Sequence, residues 1–183
     1  MKKIFRYLAV AVLGVAFALP AATSVEAAKL AVVPLIVSSQ VEDPQGMKPI
    51  AFSEAVGKIF KYPDYDMVDH DIVKKKALEL QDKVFTEEGM KAICDASGAD
   101  ISIAMSVEKF DWDDDMLRRN PMTICDFRGK FATYNKITGK YKFENWLDDY
   151  SFESGIVHPR EDWSTNEFSR YCKRILKKAL WKK

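Results

Sequence analysis

The apolar residues at the start of the chain form one run rather than a periodic pattern. The run Tyr7–Leu19 follows the basic segment Lys2–Arg6 and ends at Pro20. A basic start, a short apolar stretch and a tail of small residues are typical of a secretory signal peptide. The run is also shorter than the roughly 18 to 20 apolar residues that span a bilayer. We therefore predict a cleavable signal peptide over residues 1–27 and a mature chain that starts at Ala28.

Short apolar runs alternate with helical periodicities in the first half of the mature chain. The β-branched run Leu30–Val37 predicts a strand that is covered on both faces. Pro34 cannot donate a backbone hydrogen bond, so we expect the pairing to stop there or to lie at a sheet edge. The next predicted elements are a helix from Pro49 to Tyr62, a strand Tyr65–Asp69, a helix over Ile72–Leu80 capped by Asp69 or Asp71, and a helix from Thr86 to Gly98.

Strict alternation replaces the helical pattern after Gly98. Ile101–Val107 alternates large apolar residues with small or polar ones, which predicts a half-buried strand. A second alternating run covers Cys125–Phe131, and a tight turn at Asn135–Gly139 leads into a third strand over Tyr141–Phe152. Together the three strands predict an antiparallel meander.

The last predicted element is an amphipathic helix near the carboxyl terminus. Ser164 or Thr165 caps this helix, and an apolar stripe runs along it from Phe168 to Leu180. The elements then follow the order βαβααβββα within a single domain over residues 28–183. This order predicts an α/β (α+β) fold with helices packed on a mixed β-sheet.

Four short sequence segments, taken in order, resemble those of a known family. They are Lys29–Pro34 in the first strand, Tyr65–Asp69 before a helix, Gly98–Asp100 before the alternating strand and Thr138–Lys140 in the hairpin. With them the chain resembles the periplasmic α/β domain shared by the amino-terminal part of TolB and the curli secretion lipoprotein CsgG. The chain lacks the membrane-inserting hairpins of CsgG and the β-propeller of TolB. The resemblance therefore implies a stand-alone TolB-N-like or CsgG-like envelope domain rather than a pore.

Net charge argues against one class of partner. The whole chain has 28 basic and 27 acidic residues, and removal of the predicted signal peptide leaves 25 and 26, a formal charge of −1. Surfaces that bind nucleic acid normally carry a clear basic excess. We therefore expect no nucleic-acid partner.

Three cysteines, Cys94, Cys125 and Cys172, would enter a compartment that permits disulfides. Each falls on an apolar face of a predicted element, which favours buried, unpaired residues. One internal disulfide with a third cysteine left over is the alternative. Since no cysteine lies near the predicted cleavage site, we expect a soluble periplasmic or secreted protein and not a lipoprotein.

The densest group of acidic side chains lies at the predicted turn between the first two meander strands, and consists of Asp111, Asp113, Asp114 and Asp115. Carboxylates are the hard oxygen ligands that Ca²⁺ and Mg²⁺ prefer. The spacing lacks the glycine and the distal glutamate of known calcium loops, and two arginines follow closely. Two interpretations stay open: a metal site that serves a hydrolase, and a solvated turn.

Other catalytic patterns are missing from the sequence. The two histidines are His70 and His158, and neither accompanies a serine or cysteine in a nucleophile setting. The eight glycines never cluster as they do in a phosphate-binding loop. We expect no catalytic residue and no cofactor.

Two surfaces are candidates for binding. On the last meander strand, Trp146, Tyr150 and Phe152 are predicted to alternate outward toward a protein partner, while Phe143 and Leu147 alternate inward. The last helix has a basic face that suits an anionic membrane surface, although an ordinary packed helix has the same pattern. The residues of that basic face and of the helix end are Lys173, Arg174, Lys177, Lys178, Trp181 and Lys182.

These features lead to a hypothesis about function. The predicted signal peptide, the missing catalytic pattern and the family resemblance favour a non-enzymatic exported envelope protein that acts as a binding or assembly module. Its partner would be another envelope protein or a second copy of the chain. The alternatives are a metal-dependent hydrolase that uses the Asp111–Asp115 segment, and a peripheral membrane protein that attaches through its last helix without spanning the bilayer.

If the signal peptide is removed as predicted, amino-terminal sequencing of the exported protein reads Ala28-Lys29-Leu30. Ala27→Trp is expected to block processing, because the residue before the cut must be small. Glu26→Gln is the control and should be processed normally, since the middle residue of the cleavage motif is unrestricted. A mature chain that begins at any other residue contradicts the prediction.

Overall fold

The computed structural model describes residues 27–43, 45–115, 122–153 and 160–180, with side chains described outside 112–115, 122–125, 148–153 and 160–167. The predicted signal peptide, apart from Ala27, lies outside the described residues. The strands are β1 (Ala28–Val32), β2 (Ile36–Val37), β3 (Tyr65–Met67), β4 (Ile101–Val107), β5 (Lys109–Asp115), β6 (Met122–Asn135) and β7 (Lys140–Glu153). The α-helices are α1 (Met47–Ile59), α2 (His70–Leu80), α3 (Glu87–Ser97) and α4 (Arg160–Leu176), and Gln81–Phe85 forms a 3₁₀ helix.

A mixed sheet forms the centre of the fold, as the sequence predicts. Its strands lie in the order β3-β1-β4-β6-β7, with β2 continuing β1 past Pro34 and β5 continuing β4 past Glu108. β1 is parallel to β3 and β4, whereas β4, β6 and β7 are antiparallel neighbours. The predicted meander is therefore confirmed, and so is the interruption of pairing at Pro34.

The joint between β4 and β5 is a β-bulge near Glu108. The two strands pair with β6 in registers that differ by one residue, so this side of the ladder carries one extra residue. Ser106 Oγ accepts a hydrogen bond from the backbone N–H of Lys130 at 3.0 Å across the joint. The prediction of a turn at Asp111–Asp115 was wrong, because the bulge bends the chain without ending its pairing with β6, and Lys109–Asp115 is a strand.

Helices cover both faces of the sheet. On one face, α1 and α4 pack on the large side chains of β4 and β6. On the other face, α2, α3 and the 3₁₀ helix pack mainly on small side chains and on Tyr134. All seven residues of β4 are buried, so the prediction of a half-buried strand was wrong. The cause is α3, which covers the small-residue face and accepts a hydrogen bond from Ser102 Oγ at the carbonyl of Met90, at 3.0 Å.

The local signals at helix ends are mostly confirmed. Asp69 caps α2 by accepting the backbone N–H of Asp71 at 2.8 Å, and Thr86 Oγ1 accepts that of Gly89 at 3.1 Å at the start of α3. Gly98 ends α3 in the left-handed conformation, with φ 68°. The prediction for the last helix was wrong, since α4 begins at Arg160 and Ser164 and Thr165 lie inside it. The acidic residues after Arg160 suit the positive end of the helix dipole.

Trp146 faces the core and not the solvent. Its exposed fraction is 6%, and its ring packs on Tyr171 of α4 at 5.1 Å between centroids. The prediction that Trp146 alternates outward was therefore wrong, because its register partner on β6 is Gly129, which leaves room for an indole ring on the α4 side. Phe143 and Leu147 face outward instead.

A side chain at position 129 is expected to break this fit. In Gly129→Ala the new Cβ would lie 2.0 Å from the carbonyl oxygen of Ser106 and 2.4 Å from the ring of Trp146. We expect the free energy of unfolding to fall by roughly 2 to 3 kcal/mol, as overpacking does in well-filled cores. Urea denaturation measures the change.

Gly57→Ala in α1 is the matched control, because no described atom lies within 4 Å of a Cβ at that position. Alanine is more favourable than glycine in a helix interior, so the free energy of unfolding of this variant should rise by about 0.5 to 1 kcal/mol. Equal effects of the two substitutions would contradict the proposed fit of Trp146 over Gly129.

Candidate functional site

The second helical layer covers only part of its sheet face among the described residues. α2, α3 and the 3₁₀ helix bury Ala31, Ala104, Ala132 and Tyr134, but the strands extend beyond them. Past the edge of these helices, the same face carries side chains that are wholly or partly exposed to solvent. We call this region the open face; its residues are Ile36, Glu108, Arg128, Lys130, Phe143 and Leu147.

A groove runs where the open face meets the 3₁₀ helix. Its volume is about 530 Å³, within the range of about 300 to 1,000 Å³ that is usual for ligand-binding clefts. The strands form its floor, and the 3₁₀ helix with Thr86 forms one wall. The residues that line it are Ile36, Ser38, Asp82, Phe85, Thr86, Ser106, Val107, Glu108, Lys130, Tyr141 and Phe143.

A hydrogen bond between β7 and the 3₁₀ helix holds the wall in place. The hydroxyl of Tyr141 donates to the backbone carbonyl of Phe85. Burial raises the pKa of Tyr141, and the nearby charges of Glu87 and Glu88 raise it further, so the hydroxyl stays protonated as a donor. The groove is thus bounded by two elements that are far apart in sequence.

The groove combines apolar and charged groups. Ile36 and Phe143 remain 39% and 41% exposed in its floor. Glu108 forms an ion pair with Lys130 at 2.8 Å, and Asp82 adds a further carboxylate on the wall, so these three residues have a formal charge of −1. Such a set of groups suits a segment that presents apolar side chains and a cation.

The predicted acidic cluster lies in β5 and not in a loop. Asp113, Asp114 and Asp115 occupy successive ladder positions opposite β6, and an extended strand places alternate positions on opposite faces of the sheet. Asp111 is exposed, with a carboxylate oxygen 3.6 Å from Lys109 Nζ. Among the residues whose side chains are described, no group of three potential ligands could hold a metal ion. The metal site stays a prediction, with three of its four side chains outside the described set.

The three residues predicted to bind a protein partner differ in what the structure says about them. Trp146 is buried and cannot contact a partner. Tyr150 and Phe152 lie in β7, but their side chains are outside the described set, so their role stays a prediction. The open face was missed because the alternation along β7 was assigned to the wrong faces. The sequence signal for the correct assignment is Gly129, which pairs with Trp146 and leaves room for its ring.

The apolar stripe of α4 packs into the core. It runs along the helix face that carries Phe168, Cys172 and Leu176, all fully buried. Among the predicted membrane-facing cations, Lys178 forms an ion pair with Glu144 at 2.5 Å and Arg174 lies 4.5 Å from the ring centroid of Tyr171.

Lys177 is exposed and Lys173 is half-buried, whereas Trp181 and Lys182 lie outside the described residues. Because the apolar stripe of α4 is buried in the core, only the basic side chains of this helix could contact a membrane surface. Across the part of the chain that is described, no helix is both long enough and apolar enough to span a bilayer.

The cysteines and histidines offer no activated group among the described residues. Cys94 and Cys172 are buried and unpaired, as the sequence favours, and burial raises the pKa of both thiols. The side chain of Cys125 is outside the described set. His70 is exposed at the start of α2, 3.9 Å from Asp71, and His158 lies outside the described residues.

Lys48 is a buried cation that no sequence pattern revealed. It lies in the first turn of α1, its exposed fraction is 9%, and its ammonium group lies 5.2 Å from the ring centroid of Phe110. The group donates to the carbonyl of Glu42 and lies 3.9 Å from Asp43, which caps α1 by accepting the N–H of Met47 at 2.9 Å. Burial lowers the pKa of Lys48 against the opposing attraction of these carboxylates. The residue ties the loop before α1 to the core.

No protein-family model and no curated protein matches the chain. Several solved structures are similar in fold. The hypothetical protein CT253 from Chlamydia trachomatis is 13% identical, with 84% of this chain and 94% of that chain covered and a TM-score of 0.48. Lipoprotein GNA1162 from Neisseria meningitidis is 15% identical, with 82% and 99% covered and a TM-score of 0.42.

The LpoB C-terminal domain from Salmonella enterica is 12% identical, with 72% of this chain and 87% of that chain covered and a TM-score of 0.38. At this level of similarity the comparisons identify neither a family nor a function. The resemblance to TolB and CsgG stays a prediction.

Replacement of Lys48 by methionine is expected to change the pH dependence of stability. Because the pKa of Lys48 is lower in the folded protein than its ordinary value of 10.5, the unfolded chain binds more protons between the two values. The free energy of unfolding of the wild type should therefore rise with pH relative to Lys48→Met as the pH approaches 10.5. Urea denaturation from neutral to alkaline pH measures this difference.

The control for this experiment is Lys58→Met, which removes an exposed lysine from the same helix. The free energy of unfolding of Lys58→Met, relative to the wild type, should change less with pH than that of Lys48→Met. If the free energy of unfolding of the wild type minus that of Lys48→Met stays constant or falls as the pH rises, burial of a charged Lys48 is contradicted.

Proposed function

We propose that the protein is a non-enzymatic, exported envelope protein that acts as a binding or assembly module for another component of the cell envelope. The open face and its groove are the binding surface. The observation that carries this proposal is the exposure of Ile36 and Phe143 in the floor of a groove built from paired strands.

The apolar part of the open face is preformed. Ile36, Phe143 and Leu147 are 39%, 41% and 64% exposed, and each lies on a strand that is already paired with a neighbouring strand. A partner therefore buries apolar area without ordering a new segment, which keeps the entropic cost of binding low. Apolar residues grouped in this way mark interaction sites more often than single exposed residues do.

The charges of the groove indicate the chemistry of the partner. Asp82 forms no ion pair within the described part of the chain, whereas Glu108 is paired with Lys130. A lysine or arginine beside an apolar side chain would complement Asp82 and fill the floor next to Ile36. We therefore propose an extended protein segment with this pair of features as the occupant.

Four further considerations support an envelope binding module. The predicted signal peptide directs the chain out of the cytoplasm, and the mature formal charge of −1 does not suit nucleic acid. A metal-dependent hydrolase is the weaker proposal, because the acidic segment lacks the glycine and the distal glutamate of known calcium loops, and Asp111 lies 3.6 Å from Lys109 Nζ. Membrane attachment is also weaker, because the apolar stripe of α4 is already buried.

The test is to capture the partner and then reconstitute the complex from purified proteins. Ile36→Asp places a charge in the apolar floor, and Asp82→Lys reverses the charge of the side chain at this position on the wall. Each should weaken binding by roughly tenfold or more, as changes at central contact residues do. Calorimetry with the purified partner measures the change.

Leu78→Asp is the matched control, because Leu78 is 69% exposed on α2 and does not line the groove. This variant should bind like the wild type, and thermal unfolding of each variant confirms that it is folded. A partner that binds all three variants equally well would place the binding surface elsewhere.

A further inference from the structure

β7 is a long strand at the edge of the sheet. It pairs with β6 without interruption over its 14 residues, from Lys140 to Glu153, and no described strand pairs with its other side. At roughly 3.3 Å per residue this edge is about 46 Å long. It contains neither proline nor glycine, and its register with β6 has no bulge. Edges of this kind are templates for pairing with another strand unless the chain protects them.

The other long edge, on β5, is protected by its charge. Four of the seven residues in Lys109–Asp115 are aspartates. Pairing of β5 with a second β5 would bring carboxylates together, and like charges directly opposite each other destabilise a strand pair. β7 carries mixed charges instead, with lysines near its start and aspartates nearer its end.

The sequence of β7 is self-complementary about Asn145. In an antiparallel pair related by a twofold axis through Asn145, Phe143 lies opposite Leu147 of the second copy, and Lys142 lies opposite Asp148. Each contact occurs twice because of the symmetry. An axis one residue away, at Trp146 or at Glu144, would bring Glu144 opposite Asp148 or opposite itself.

The described side chains fit this arrangement. Asn145 is exposed, and it shares the face of β7 that carries Phe143 and Leu147, where the cross-strand pair would bury these two apolar side chains. Lys142 forms an ion pair with Glu144 at 3.0 Å, but Glu144 is also held by Lys178 at 2.5 Å. Lys142 can therefore turn toward a second copy without leaving Glu144 unpaired.

We propose that two copies of the chain form a twofold dimer by antiparallel pairing of β7 with β7, with Asn145 at the axis. The pairing joins two sheets into one and places the two open faces side by side. The dimer goes beyond the proposed binding function and does not rest on it, since it uses the edge of the sheet and not the groove.

Charge reversal tests the dimer and its register together. Sedimentation velocity on the exported protein should show a monomer–dimer equilibrium that depends on concentration. Lys142→Glu brings glutamate opposite Asp148 twice, and Asp148→Lys brings two lysines together twice, so each should lower the association constant by about tenfold or more. A mixture of the two variants should associate as a 1:1 heterodimer, because both contacts then pair opposite charges.

Lys58→Glu is the matched control, because it also removes a surface lysine from an ion pair with a nearby glutamate, Glu54, at 3.3 Å. This variant should associate like the wild type. Variants at Ile36 and Asp82 should likewise leave the dimer intact, so the groove and the edge are tested separately.

Cysteine cross-linking fixes the position of the axis. Asn145→Cys should form a dimer linked by a disulfide under mild oxidation, because paired residues on neighbouring strands lie within the Cα separation of about 4.4 to 6.8 Å that a disulfide needs. Leu147→Cys should not, since its symmetry mate is offset by four residues along the strand. Wild-type protein gives the background of the native cysteines. A strictly monomeric protein, or a dimer unaffected by both charge reversals, would overturn the proposal.

Discussion

The contact between Trp146 and Gly129 is the constraint on which the rest of the structure depends. Position 129 has no side chain, so the indole of Trp146 occupies the space beside the β6 backbone and reaches Tyr171 of α4. Phe127, a neighbour of Gly129 on β6, contacts the same tyrosine. Because a strand alternates its side chains between faces, burial of Trp146 directs Phe143 and Leu147 to the opposite face. The open face therefore follows from the packing of the buried one.

The sheet continues past the bulge near Glu108, beyond the helices that cover its second face. The extra residue shifts the register by one without ending the pairing, so β5 continues along β6 and the acidic segment is a strand. Glu108 at the bulge forms an ion pair with Lys130, and both residues line the groove together with Ile36. The groove is thus a surface that several elements share and that no single element contains.

The groove and the edge of β7 are separate parts of one sheet. The groove lies on a face and takes side chains, whereas the edge lies in the plane of the sheet and takes backbone hydrogen bonds. Phe143 lies next to both, so a dimer through β7 would join two open faces into a wider surface around two grooves. A bivalent surface of this kind binds a partner with repeated segments more tightly than one copy does. Assembly and recognition are therefore compatible in this fold.

Local signals were sufficient for much of the fold. The caps at Asp69, Thr86 and Gly98 act within three or four residues, and the element order follows from periodicities that neighbouring residues carry. Tertiary structure decided the face on which Trp146 lies, the strand conformation of the aspartates in β5 and the burial of Lys48. Each of these depends on a contact with a residue distant in sequence: Gly129 for Trp146, β6 for β5 and Phe110 for Lys48. The hydrophobic effect buries apolar area without specifying which face pairs with which, so only the complementarity of the assembled surfaces selects between them.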